Sequence, residues 1–304
     1  MNAPRPIIID CDPGHDDAVA LLLALASPEL EVLGITTTHG NVSLERTSRN
    51  ALRIREFSGA NVPVFSGAER PLLRDAISAE HVHGQTGLGG VTLPEPSRGL
   101  EPRRAAEFIV ESVMARPGEV TLVPTGPLTN IALALRLEPR LAESVREIAL
   151  MGGSSDHGNT TPAAEFNIYA DPHAARIVFE SGAPLRMFGL NVTHQVRSSP
   201  ERVARVRAVP NRMGPVVAEL LTIWNEEGGA ALHDPCPVAY LIRPELFDLE
   251  PYFVEVDILE GPNFGRTVVD LTSVTGRPRN VQVAMRANAE GVFDLLTERL
   301  ARYS

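Results

Sequence analysis

The sequence predicts an open α/β fold, a mainly parallel, Rossmann-like sheet with helices on both faces, in a single domain spanning 1–304. Three observations predict it. Short runs rich in Ile, Val and Leu alternate with longer amphipathic runs, the pattern of β-α-β units whose strands are buried on both faces. Polar residues follow directly after several of the strand-like runs, where open α/β sheets bind their ligands. No Gly/Ser-rich linker, internal repeat or low-complexity segment divides the chain, and 43% hydrophobic content is ample for one large core.

Taken in order, 7–9 is a buried strand and 16–26 a helix with a continuous apolar stretch, ended near Ser27-Pro28. A second strand over 32–37 leads to a helix over 44–58, then a short strand over 62–65. Helix 103–115, strand 120–123, helix 128–136 and strand 147–151 continue the alternation, followed by helix 172–180 and strand 185–188. From 200 to 227 the pattern is mainly helical, broken near Pro210. Strands over 254–259, 267–271 and 281–284 precede a closing helix over 289–301.

Composition narrows the function. The chain carries 38 acidic and 28 basic residues, a formal charge of −10. That balance suits neither nucleic-acid phosphates nor anionic membranes, and favours a cation or a neutral small molecule. Every basic residue is Arg, with no Lys in the chain. A Walker-type phosphate loop and Schiff-base chemistry are therefore excluded. Two cysteines, Cys11 and Cys236, make neither a disulfide framework nor a zinc cluster. No signal-peptide core and no apolar stretch of roughly 18 residues is present, so the expectation is a soluble cytoplasmic protein.

The most informative segment is Asp10-Cys11-Asp12-Pro13-Gly14-His15-Asp16-Asp17. Four carboxylates within eight residues, directly after an apolar strand, would repel one another in a partly buried crevice. A hard divalent ion, Ca²⁺ or Mg²⁺, resolves that repulsion. Pro13 and Gly14 allow a tight turn, so that carboxylates on both sides of it can face one point. Acids decorating a helix N-terminus would account for Asp16 and Asp17, but not for Asp10 and Asp12. A D-x-D after a strand also suggests a metal-dependent phosphatase of the haloacid-dehalogenase type. That mechanism usually needs a downstream Lys, and the chain has none.

The segment DCDPGHDDA, Asp10–Ala18, resembles the signature of the inosine-uridine-preferring nucleoside hydrolases. Five further segments carry the resemblance in order: TTTHGN (36–41), VHGQTGLG (82–89), PTGPLTN (124–130), Met151-Gly152-Gly153 with GNTTPAAEFNIYADP (158–172), and HDPC (233–236). The resemblance spans about 7–302 and implies an open α/β fold with calcium at the floor of the crevice. By position, it implies Asp12, Asp17, the Thr125 backbone carbonyl and Asp234 as protein ligands, completed by two ribose hydroxyls and a water. It further implies that Asp16, Asn41, Asn159, Glu165 and Asn167 hold the ribose hydroxyls, with Met151 beside the sugar. The family is usually dimeric or tetrameric, so a homo-oligomer is expected, acting on a small-molecule ribonucleoside in purine or pyrimidine salvage.

The chemistry wants these residue types. Cleavage of an N-glycosidic bond to ribose and free base develops positive charge on the sugar, which a carboxylate-rich pocket stabilises. A calcium-bound water near Asp12 becomes the nucleophile, and Asp12 accepts its proton. His233 is the expected proton donor to the leaving base, since histidine titrates near neutral pH. His83 is a second candidate for contacts at the base. Asp10 is expected to support the ligands from behind.

Blander readings stand beside these. His233 would otherwise be an ordinary surface histidine, His83 would merely order a Gly-rich loop, and Met151 would be core. Asn41, Asn159 and Asn167 would be turn residues. His15, His39, His81, His157, His173 and His194 receive no role. Base preference is not readable: relatives often carry Tyr or Arg eight positions before the motif histidine, where this chain has Asn225, with Leu221 four residues earlier. Trp224 is expected to pack near the base. A non-catalytic nucleoside or ribose binder is the second alternative.

Overall fold

The computed structural model describes residues 3–223 and 229–304. The strands are β1 (Arg5–Cys11), β2 (Leu30–Thr37), β3 (Val64–Ser66), β4 (Thr121–Pro124), β5 (Glu147–Met151), β6 (Leu185–Phe188), β7 (Phe247–Tyr252), β8 (Val254–Val256), β9 (Thr267–Val269) and β10 (Val281–Ala287). Among the described residues eight of them form one sheet, ordered β3-β2-β1-β4-β5-β6-β10-β7. All neighbours in it are parallel except β7 and β10. The chain runs outward from β1 to β3, then returns to β4 on the other side of β1. That reversal opens a crevice at the carboxyl ends of β1 and β4.

Alternation along β1 sets this geometry. Ile7 and Ile9 enter one apolar layer and Ile8 the other. Each isoleucine is fully buried, contributing about 1.5–3 kcal/mol relative to exposure. A one-residue slip would exchange every side chain between the two layers, so three isoleucines fix where Asp10 and Asp12 emerge. The layer holding Ile7 and Ile9 contains residues of helices His15–Leu25, Leu44–Ser58, Pro235–Ile242 and Ala289–Leu300; the layer holding Ile8 contains those of Ala105–Ala115, Thr129–Leu137 and Pro172–Phe179. Helix His15–Leu25 is buried over nearly its whole length, as an apolar-all-round helix must be. Its first turn is thereby held rigidly beside the crevice.

The predicted α/β fold with helices on both faces is the one observed. The structure adds several short helices and, more consequentially, a helix and a strand that the sequence reading lacks. Helix Pro235–Ile242 begins with Pro at its first position, where the missing N–H has no helical partner to lose. β7 is an antiparallel edge strand containing Pro251, and proline is tolerated in a sheet mainly at an edge. The strands expected near 254–259 and 267–271 form a separate antiparallel pair, β8 and β9, instead of joining the main sheet. Among the described residues no helix is long and apolar enough to cross a membrane.

Candidate active site

Because β2, β1 and β4 are adjacent, their following loops bring Asn41, Asp12 and Thr125 together although more than 80 residues separate Asn41 from Thr125. Asp10, the last acidic side chain within β1, accepts from Thr36 Oγ1 at 2.6 Å and Asn130 Nδ2 at 2.8 Å. Asp12 Oδ2 accepts from the Asn41 backbone N–H at 2.7 Å. The Asn41 side-chain amide donates to the Asp12 carbonyl and to Asp17 Oδ2, both at 3.1 Å. Asp17 Oδ2 also accepts from Gly14 N at 3.0 Å, and its Oδ1 from Thr125 Oγ1 at 2.8 Å. Asp234, at the start of helix Pro235–Ile242, faces Asp16 and Asp17. Ligand atoms of Asp16, Asp17 and Asp234 lie within 4.8 Å of one another.

Glycines permit this crowding, Gly40, Gly126 and Gly14 among them. A Cβ at Gly126 would stand 2.4 Å from Asp12 Oδ1, and one at Gly14 would stand 2.4 Å from His83 Nδ1. Both sit in the motifs noted above, and close approach of backbone to a site is a role only glycine fills.

Burial controls the electrostatics. It pushes Asp10 up to about 7 and Asp16 to about 6; Asp17 rises to about 6 through burial and then the Asp16 charge. Asp12 and Asp234 are held well above the usual carboxylate range by burial, reinforced by their acidic neighbours. Asp12 Oδ1 and Asp16 Oδ1 are buried without a hydrogen-bond partner among the described residues. Orphaned acceptors within an oxygen-only cluster of mutually repelling carboxylates fit a hard divalent cation, which would reverse these shifts.

A cavity of about 490 Å³ opens above the carboxylates, a size suited to a small molecule. Asp16, Asn41, Thr125, Met151, Asn159, Glu165 and Asn167 all line it, as do His83, His233 and Asp234. Glu165 caps helix Phe166–Ala170, its oxygens accepting from Gly153 N at 2.8 Å, Asn167 N at 2.8 Å and Ile168 N at 3.1 Å. Burial pushes its carboxyl up to about 7. Asn167 donates to the Thr125 carbonyl at 2.7 Å and to the Met151 carbonyl at 3.2 Å. Asn159 Oδ1 accepts from Phe166 N at 2.9 Å. Asp10 and Asp12 lie beneath the cavity, both fully buried.

At the histidine end, Thr193 Oγ1 lies 2.8 Å from His233 Nδ1. Burial holds the His233 ring down to about 3. His15 and His83 stack with ring centroids 4.4 Å apart, and His194 sits 5.6 Å from His233. Sequence reasoning missed His15, His194, Thr193 and Asn130; the signal for His15 was its place inside the acidic motif. Trp224 and Asn225 lie outside the described residues.

Together, an acidic metal-binding floor, a cavity of small-molecule size and a histidine wall at the switch point of an α/β sheet define a metal-dependent enzyme of the nucleoside hydrolase class. The family model for inosine-uridine preferring nucleoside hydrolase matches residues 7–294. A pyrimidine-specific ribonucleoside hydrolase of Shewanella oneidensis is 47% identical over 308 residues, covering 98% of this chain and 97% of the relative. One of Photobacterium profundum is 48% identical over 309 residues, covering 98% and 99%. Among solved structures, a purine-preferring ribonucleoside hydrolase from Gardnerella vaginalis superposes with a TM-score of 0.91 at 36% identity, covering 98% of each chain. The chain belongs to the inosine-uridine preferring nucleoside hydrolase family. The phosphatase and non-catalytic alternatives are set aside, and the resemblance drawn from the six motifs stands.

Proposed function

We propose that the protein hydrolyses pyrimidine ribonucleosides to ribose and free base in a calcium-dependent reaction. The observation that carries this reading is the buried, unpartnered Asp12 Oδ1 at the floor of the cavity, gathered with Asp16, Asp17 and Asp234. Asp12, Asp17, Asp234 and the Thr125 carbonyl would hold Ca²⁺, which when bound supplies charge neutralisation, an anchor for ribose hydroxyls and an acidified water.

The chain's own residues do the rest. Asp12 takes the proton of the attacking water. Asp16, Asn159, Glu165 and Asn167 orient the ribose hydroxyls; Glu165 keeps lone pairs for this beyond those used by its three backbone donors. Asn41 holds Asp12 and Asp17 in place and borders the sugar, and Met151 lies beside it. Asp10 fixes the end of β1 from below. The Thr193 hydroxyl at Nδ1 orients the His233 ring, and burial disfavours its cation in the empty site. With substrate bound, His233 in its protonated form passes the Nε2 proton to the leaving base as negative charge develops there and returns to neutral imidazole. His83 contacts the base. Pyrimidine preference follows the two relatives at 47 and 48% identity, both pyrimidine-specific.

The test is release of free ribose from uridine, cytidine, inosine, adenosine and guanosine, with calcium and with a chelator. Ribose from uridine and cytidine, abolished by chelation, is expected. Ribose from purine nucleosides alone would overturn the base preference, and release unaffected by chelation would overturn the metal role. A homodimer or homotetramer is also proposed; elution as a 32.8 kDa monomer would refute it.

A further inference from the structure

We propose that His15, Asp16 and His83 form a second metal site, selective for a borderline divalent ion such as Zn²⁺ or Co²⁺, in the wall of the same cavity. One ligand atom from each residue lies within 4.8 Å of those of the other two. His15 and His83 come from segments 68 residues apart, yet their rings meet at 4.4 Å with a tilt of 35°. The His15 backbone N–H points at His83 Nδ1 at 3.4 Å. All three residues are more than nine-tenths buried, at 8, 7 and 7% exposure. Among the described residues His15 Nδ1 is buried with no hydrogen-bond partner. Buried polar groups are normally satisfied, and an oxygen-seeking ion below does not account for an orphaned imidazole nitrogen, so it points to a further ligand that His15 shares with His83 and Asp16.

The donor chemistry selects the ion. Two imidazole nitrogens and one carboxylate suit Zn²⁺, Co²⁺ or Ni²⁺, whereas Ca²⁺ demands oxygen. The oxygen-only cluster of Asp12, Asp17 and Asp234 below has the opposite preference. One cavity therefore presents two donor sets of different hardness that meet at Asp16. Three protein ligands leave a coordination position open, as in zinc sites that bind water or a small ligand. Metal–nitrogen bonds of about 2.0–2.1 Å require ligand atoms now within 4.8 Å of one another to draw closer by side-chain rotation. All three residues line the cavity, so an ion held there occupies the space of the sugar and base. That last consequence, competition with substrate, rests on the ribonucleoside reading above; the binding itself does not.

The experiment titrates the calcium-loaded full chain with Co²⁺, following visible absorption and measuring free calcium in parallel. Expected is about one equivalent of Co²⁺ with an intensified, nitrogen-shifted ligand-field band and no calcium release. His15→Gln and His83→Gln should each weaken binding by about tenfold or more, as loss of a direct ligand should cost at least what loss of its outer-shell partner does. The double variant should lose the band while keeping its far-ultraviolet circular dichroism and its calcium. A spectrum unchanged from aqueous Co²⁺, an undiminished band in the double variant, or stoichiometric calcium release would each overturn the site. Micromolar Zn²⁺ should raise the KM for uridine in the wild type without lowering kcat. Bound Co²⁺ with KM unchanged would overturn the competition alone. Bound Co²⁺ in a protein that releases no ribose from any nucleoside would confirm the site and refute the hydrolase reading.

Discussion

Thr193 Oγ1 lies 2.8 Å from His233 Nδ1, so the histidine at the base end of the cavity is held by a hydroxyl rather than by a carboxylate. A carboxylate partner would favour imidazolium, whereas a hydroxyl leaves the buried ring neutral. The pair therefore orients a ring that is neutral in the empty site and donates from its protonated form as the base leaves. His233→Ala should lower kcat on uridine by about 10²–10⁴, the range for general acid–base catalysis. Thr193→Val should lower it by about tenfold, with KM little changed. Neither change should matter much with p-nitrophenyl riboside, whose leaving group needs no proton. Equal losses on both substrates would mean that the pair is structural.

Asp12 is confined by Gly126, where a Cβ would stand 2.4 Å from Asp12 Oδ1 and 3.2 Å from Asp12 N. Backbone on one side and a buried carboxylate on the other leave little room to yield. Gly126→Ala should therefore displace the Asp12 carboxylate. A misplacement of about 1 Å in a reacting group costs on the order of 100-fold, and calcium affinity should fall with it. Asp12→Asn should abolish turnover and weaken calcium binding further. Steady-state kinetics and calorimetric calcium titration of both variants check this. A Gly126→Ala enzyme within twofold of wild type in kcat/KM would show that Asp12 does not need its observed position.

How much of this was legible in the sequence depends on whether local pattern or chain closure decides each feature. Ile7, Ile8 and Ile9 announce a strand buried on both faces, and the acids after it announce a cation. The strand and the clustering of its acids are local features, and the structure carries both. The pairing of His15 with His83 and of Thr193 with His233 spans 68 and 40 residues, and no spacing rule connects them. His15 consequently read as a residue without a role. Asn130, read only as part of a motif, is a junction that donates to Asp10 Oδ1 at 2.8 Å and the Thr37 carbonyl at 3.0 Å and accepts from Ala68 N at 2.8 Å. β7 escaped because Pro251 argues against a strand unless the strand is known to be an edge, which only the assembled sheet reveals. The expectation for Trp224 lies outside the described residues.

Removing calcium should make stability depend on pH in a defined window. Burial raises Asp10 and Glu165 to about 7 and holds Asp12 and Asp234 well above the normal range. A carboxyl whose folded pKa exceeds its unfolded value, about 4, stabilises the fold fully below that value. The contribution declines as pH rises toward the folded pKa. The buried histidines act in the other direction: His15 is lowered to about 4 and His233 to about 3, so their contribution is complete above about 6.5 and is lost as pH falls. The two sets oppose each other between about 4 and 6.5. Above that only the carboxyls still titrate, and each added charge enters a buried cluster of like charge. The melting temperature of chelated protein should therefore drop by several degrees between pH 6.5 and 8.5. Calcium should cancel most of that drop, because a bound cation favours the ionised carboxylates and stabilises only the folded state. Differential scanning fluorimetry with calcium and with chelator across this range checks both halves. Parallel curves with and without calcium would show that the raised carboxyls do not converge on a shared ion.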